Sequence, residues 1–153
     1  MLLFILIFLG FFSYSVVQDE PGRFMETNDI ELTQPDEAAA YVQAHLGQPL
    51  PESVVVLGVY EGGFQDAFVR VKMIAPDTAI PALYSALNVD PTSMYELAPN
   101  PFPSNQTWWD IETHDRVWQA PATIGTYYTA AISMVPDPAD STQIIIYLSA
   151  SDI

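Results

Sequence analysis

The chain opens on seventeen positions without a charged side chain, MLLFILIFLGFFSYSVV, and then turns acidic at Asp19 and Glu20. Coiled as a helix, such a run is about 26 Å long, close to the minimum for a hydrocarbon layer about 30 Å thick. Residues 1–17 are therefore expected to be a transmembrane anchor or a signal peptide. Phe4, Phe8, Phe11 and Phe12 suit lipid contact, whereas the small-x-small triplet Ser13-Tyr14-Ser15 suits cleavage after residue 15. Either reading leaves the folded domain outside the cytoplasm, membrane-anchored if the segment is kept and secreted if it is cut. A buried helix of a soluble protein is the remaining alternative. No Lys or Arg precedes the run, so orientation rests on the acidic flank and not on a positive-inside bias.

Residues 18–34 mix Pro, Gly and scattered acids with little periodicity, and read as an acidic tether. In PDEAAAYVQAHLG, Ala39, Val42 and Leu46 recur at helical spacing, Asp36 and Glu37 favour the positive end of the helix dipole, and Gly47 supplies a stop. The β-branched run SVVVLGVY is followed by EGGFQ, a glycine pair suited to reversing the chain. Strict alternation comes next: Ala67, Val69, Val71 and Met73 on one face, with Asp66, Phe68, Arg70 and Lys72 on the other. Ile80, Leu83, Tyr84 and Leu87 form the stripe of a second helix, which Pro81 requires to start between Thr78 and Pro81. From Asp90 to Thr126 the chain is proline-rich and reads as one long loop, with at most a turn of helix over 93–97. YYTAAISMV and QIIIYLSA then flank the turn PDPADST, which predicts a second hairpin with Tyr128, Ala130, Ile132 and Met134 sharing a face.

Two hairpins and two amphipathic helices predict an α+β domain over residues 35–153. Its expected form is a four-stranded antiparallel sheet with both helices on one face, preceded by the N-terminal hydrophobic helix.

Composition narrows the function classes. Nineteen acids against four bases give a net charge of −15, a surface that repels phosphate backbones and anionic lipid; nucleic acid is excluded as a partner. Such a surface favours solubility, and any partner should be basic. The chain contains no cysteine, which rules out thiolate metal sites, thiol catalysis and disulfides. GxSxG, GxxxxGK[ST] and GxGxxG are all absent, so no motif implies a nucleophile or a cofactor.

Candidate chemistry concentrates in the loop 102–118. Loops this long are usually functional or disordered, and Phe102, Trp108, Trp109 and Trp118 are too apolar to be left in water. Each indole that is covered buries on the order of 200 Å², enough to hold a loop onto a sheet. The plain reading is therefore that the rings plug the edge of the core or cover the open face of the sheet. Two functional readings stand beside it. Trp108, Trp109, Asp110 and Trp118 compose a candidate carbohydrate or small-ligand site, stacking rings beside hydrogen-bonding carboxylates. Asp110, Glu112 and His114 alternate on an extended segment and are candidate metal ligands, or an acid and base pair, for a metal-dependent hydrolase. Arg70 and Lys72 share a strand face that is open to an anion, though in so acidic a chain pairing with surface carboxylates is the plainer fate.

The order EGGFQDAFVRVKM, IPALYSAL, TWWD and GTYY, closed by a terminal hairpin, resembles small bacterial cell-envelope proteins of unknown function over about residues 53–149. The resemblance implies the fold type and an envelope location, and brings no catalytic or binding residues. The leading expectation is thus a non-catalytic, membrane-tethered accessory or interaction domain with a protein partner in a membrane complex. The two loop-based readings are its alternatives.

Overall fold

The computed structural model describes residues 29–46, 49–63, 67–99, 104–127 and 129–152. The expected hydrophobic helix over 1–17 lies outside the described residues. Among them, no helix is long and apolar enough to cross a membrane.

Among the described residues the sheet has seven strands, not the four expected. These are β1 (Ile30–Leu32), β2 (Val55–Gly62), β3 (Phe68–Pro76), β4 (Tyr95–Leu97), β5 (Val117–Pro121), β6 (Thr129–Pro136) and β7 (Gln143–Ser151). They lie in the order β1-β2-β3-β7-β6-β5-β4, every neighbouring pair antiparallel. Helix α1 spans Pro35–Leu46, and α2 spans Ile80–Ala86 after a 3-10 turn at Asp77–Ala79. The expected α+β domain is therefore mostly β, with two short helices. Its three additional strands come from stretches read as tether and loop. β1 and β4 have three residues each, too few to show a two-residue period, and β5 ends on Pro121 inside an aromatic run. The turn of helix expected over 93–97 is instead a 3-10 turn at Pro91–Ser93, capped by the Asp90 side chain, that leads into β4.

The seam of the sheet is β3 against β7, in register from Phe68↔Ser151 to Pro76↔Gln143. Alternation along both strands splits their side chains between two cores. On one face Val69, Val71, Met73, Ile146 and Leu148 meet Ile132 of β6, Ala38 and Val42 of α1, and Leu83 and Leu87 of α2. Each fully buried leucine there contributes about 1.5–3 kcal/mol relative to exposure. The opposite face carries a smaller core of Trp109, Val117, Val135 and Tyr147, with Leu97, Trp108, Ile111 and Ile145 packed against it. That second core is where the crossing segment, residues 104–116, lies on the sheet.

One glycine makes the crossing possible. Gly58 sits at a register shift in β2, and a Cβ built there would stand 2.5 Å from the Trp108 ring. A bare strand position lets the indole lie flat on the backbone, as glycine inside a strand often does.

Candidate functional site

The crossing segment leaves β4 at one edge of the sheet and reaches β1 at the other before returning into β5. Ser104 starts it with a local turn, its hydroxyl donating to Gln106 Oε1 at 2.6 Å and accepting from the Gln106 amide at 3.1 Å. Trp108 then covers Gly58, and its Nε1 donates to Glu31 Oε1 of β1 at 2.9 Å. Trp109 turns inward with only 6% of its surface exposed. Its ring meets Trp108 and Tyr147 edge to face, at centroid distances of 6.0 and 5.3 Å. A 3-10 turn at Ile111–Thr113 reverses the segment, with the Thr113 amide and hydroxyl both donating to the Asp110 carbonyl.

Asp110 is the polar centre of this layer. Its Oδ1 accepts from Lys72 Nζ of β3 at 2.6 Å and from the Tyr147 hydroxyl of β7 at 2.6 Å. His114 Nε2 lies 2.9 Å from that same hydroxyl. Because the single phenolic proton goes to Asp110, the His114 contact is one in which Nε2 donates to the phenolic oxygen. Partial burial pushes the Asp110 carboxyl upward, but the Lys72 and Tyr147 hydrogen bonds and the Lys72 charge outweigh it and hold the group below its usual range. Burial, then the hydrogen bond to Asp110 and its charge, raise the Tyr147 phenol far above its ordinary value. At neutral pH, Asp110 is therefore an ionised acceptor and Tyr147 a fixed donor. Charge and proton are matched within the group, an arrangement that clamps the segment to the β3–β7 seam.

The sequence candidates part company here. Asp110 and His114 converge on Tyr147, while Glu112 is exposed and reaches that group through its charge, not through a hydrogen bond. Among the described residues, no three His, Cys, Asp or Glu side chains come close enough to hold a metal ion. Trp108 and Trp109 do not stand as a pair of open stacking faces, since one lies on Gly58 and the other is core. Trp118 is on the opposite side of the sheet. In β5, Val117 enters the smaller core, so strand parity sends Trp118 to the helix side, where it pairs with Met134 and remains 50% exposed.

There Trp118 walls an apolar groove of about 430 Å³ with Ile80, Tyr84, Met94, Met134 and Ile144. One wall comes from the seven-residue α2 through Ile80 and Tyr84, and the other from β5, β6 and β7 through Trp118, Met134 and Ile144. Tyr84 is fixed across its floor by a contact from its hydroxyl to Met134 Sδ at 3.7 Å. Asp77 stands at the rim, and Pro136 on the wall runs directly into the acidic turn carrying Asp137 and Asp140. On the neighbouring edge strand Glu96 stands opposite Trp118, while Tyr95, 52% exposed, stands opposite Gln119 on the other face.

A second cavity, of about 360 Å³, lies on the other side of the sheet beneath the crossing segment, with Arg70 on its wall. The Arg70 guanidinium rests 5.3 Å from the Phe68 ring centroid and 5.5 Å from that of Trp109. Among the described residues its one polar side-chain contact is a long one, 3.5 Å to Gln106 Oε1. Burial lowers its pKa from the usual arginine value, with Tyr60 and Glu112 pulling the other way. Lys72 and Arg116 have their carboxylates in Asp110 and Glu96; Arg70 has none within ion-pair distance among the described residues. The expected pairing of both strand-face cations with acids thus holds for Lys72 alone.

Sequence reasoning missed Tyr147 and Met94, and placed Tyr84 only in the apolar stripe of its helix. Tyr147 left a signal, as an aromatic ring at the odd parity of IIIYLSAS, opposite Ile146 and Leu148. No family model, curated protein or solved structure matches the chain.

Proposed function

We propose that this is a non-catalytic interaction domain that docks a basic, amphipathic segment of a protein partner in the groove beside Trp118. The observation that carries the reading is a half-exposed indole set into an apolar concavity, instead of standing alone on the surface. Charge complementarity selects the partner: the chain has a net charge of −15, Asp77 lines the groove, and Pro136 on its wall leads into the turn that carries Asp137 and Asp140. Apolar side chains of the segment enter between Trp118, Met94 and Met134, and its Lys or Arg residues meet the acidic rim. The uncharged run of residues 1–17 supports a membrane tether, with the domain outside the cytoplasm as an accessory part of a membrane complex.

A fluorescein-labelled Lys/Leu amphipathic peptide, followed by anisotropy, tests the docking. Trp118→Ser should weaken binding by about tenfold or more, as loss of a central aromatic anchor does, while leaving the thermal midpoint nearly unchanged. Equal binding by both proteins, or equal binding of a Glu/Leu peptide with the same apolar face, would overturn the reading. For the tether, recovery of the full-length protein in the soluble cytoplasmic fraction would be the negative result.

A further inference from the structure

From the cavity on the opposite face we infer a second site, for a small organic monocarboxylate with an apolar body, bound through Arg70 beneath the crossing segment. It is independent of the docking groove and does not rest on that reading. In a chain where acids outnumber bases nineteen to four, an arginine with no ion-pair partner among the described residues is the unusual outcome, and Arg70 is also half-buried. The aromatic rings of Phe68 and Trp109 hold the guanidinium plane without consuming its ionic valence, and the contact to Gln106 Oε1 is too long to do so. A guanidinium so held presents its paired N–H groups in the geometry that a carboxylate accepts bidentately.

The rest of the lining sets the ligand class. Leu97, Trp109, Ile111 and Val117 give the cavity apolar walls, fit for a hydrocarbon or aromatic body. Ser133, itself buried, accepts from Gln119 Nε2 at 2.9 Å and keeps its own proton to donate, so one further polar contact is offered from the floor. Only one cation is open, because the neighbouring Lys72 is satisfied by Asp110. A single charge centre among apolar walls, in a strongly anionic protein, favours a monoanion over phosphate or a dicarboxylate. The volume of about 360 Å³ lies at the small end of ligand pockets, which fits a phenylacetate-sized acid.

The test uses phenylacetate, its neutral isostere phenylacetamide, and inorganic phosphate, each titrated into the intact protein while the Trp109 indole N–H is followed by NMR. Phenylacetate should bind about tenfold or more tightly than the amide, and phosphate should give no saturable shift. Arg70→Gln should reduce phenylacetate to the level of the amide and leave the amide unaffected. Trp118→Ser should change neither, which separates this site from the groove. If Arg70→Gln does not fold, the acid-against-amide comparison in the unaltered protein still decides. Equal binding of acid and amide, tighter binding of phosphate, an Arg70→Gln variant that binds phenylacetate normally, or no shift up to about 10 mM phenylacetate would each overturn the inference.

Discussion

Trp109→Ala is expected to destabilise the domain by about 3–5 kcal/mol, the largest effect of any single substitution in the crossing segment. The ring is 6% exposed and is the largest member of the smaller core, edge to face with Trp108 and Tyr147 and beneath the Arg70 guanidinium. Removing it opens a void between segment and sheet, and that void is bounded by β7, which cannot collapse to fill it. Domains of this size have about 5–15 kcal/mol in hand, so the variant should sit near the edge of folding at body temperature. Urea unfolding measures the loss as a lowered midpoint at nearly constant slope. Trp118→Ser is the control, with an expected change within about 0.5 kcal/mol. A cost for Trp109→Ala below about 1 kcal/mol would mean that the segment is not packed on the sheet as described.

Asp110→Ala is the second large effect, at about 2–3 kcal/mol. The substitution strands Lys72, whose side chain is only 12% exposed, and takes the acceptor from Tyr147. Breaking a fully buried pair costs about 3–5 kcal/mol; here the carboxylate is 43% exposed, so water recovers part of that. The double variant Lys72→Met/Asp110→Leu should regain most of the loss, because it removes the stranded charge along with its partner. The penalty also carries a pH signature. The folded Asp110 carboxyl lies below its usual value of 3.8, so its stabilisation is fully present above that pH and fades as the pH falls through the lower folded value. The gap between wild type and Asp110→Ala, followed by unfolding midpoints, should therefore be constant from neutral pH down to about 5 and close only in stronger acid. A gap that persists after the carboxyl is protonated would show that the group acts through packing and not through charge.

The elements that could be read from the letters are those whose side chains alternate long enough to declare a face. Val69, Val71 and Met73 mark the buried side of β3, and Leu83 with Leu87 marks that of α2, because each stripe repeats within one element. β1 and β4 have no such repeat, and their pairing is decided by neighbours distant in sequence. The loop chemistry was legible only in part. The need to bury Trp109 follows from its size, and the ring is buried. The separation of Trp118 from Trp109 turns on which face Val117 takes in β5, a strand that proline and aromatic residues disguise. The Lys72–Asp110–Tyr147 group joins three elements across the chain and leaves no local spacing to find. Arg70 was visible as a rare base, but its lack of a carboxylate among the described residues is a property of the folded arrangement alone.

Any tension entering through the residues before Asp29 arrives first at β1. That strand is three residues of ladder reinforced by two lateral fastenings, Tyr60 to Asp29 and Trp108 to Glu31. Its ladder is far shorter than the nine-pair seam of β3 and β7, so a pull loads the rim before it reaches the body. Lifting β1 would bare the edge of β2 and take from the indole on Gly58 its hydrogen bond to Glu31.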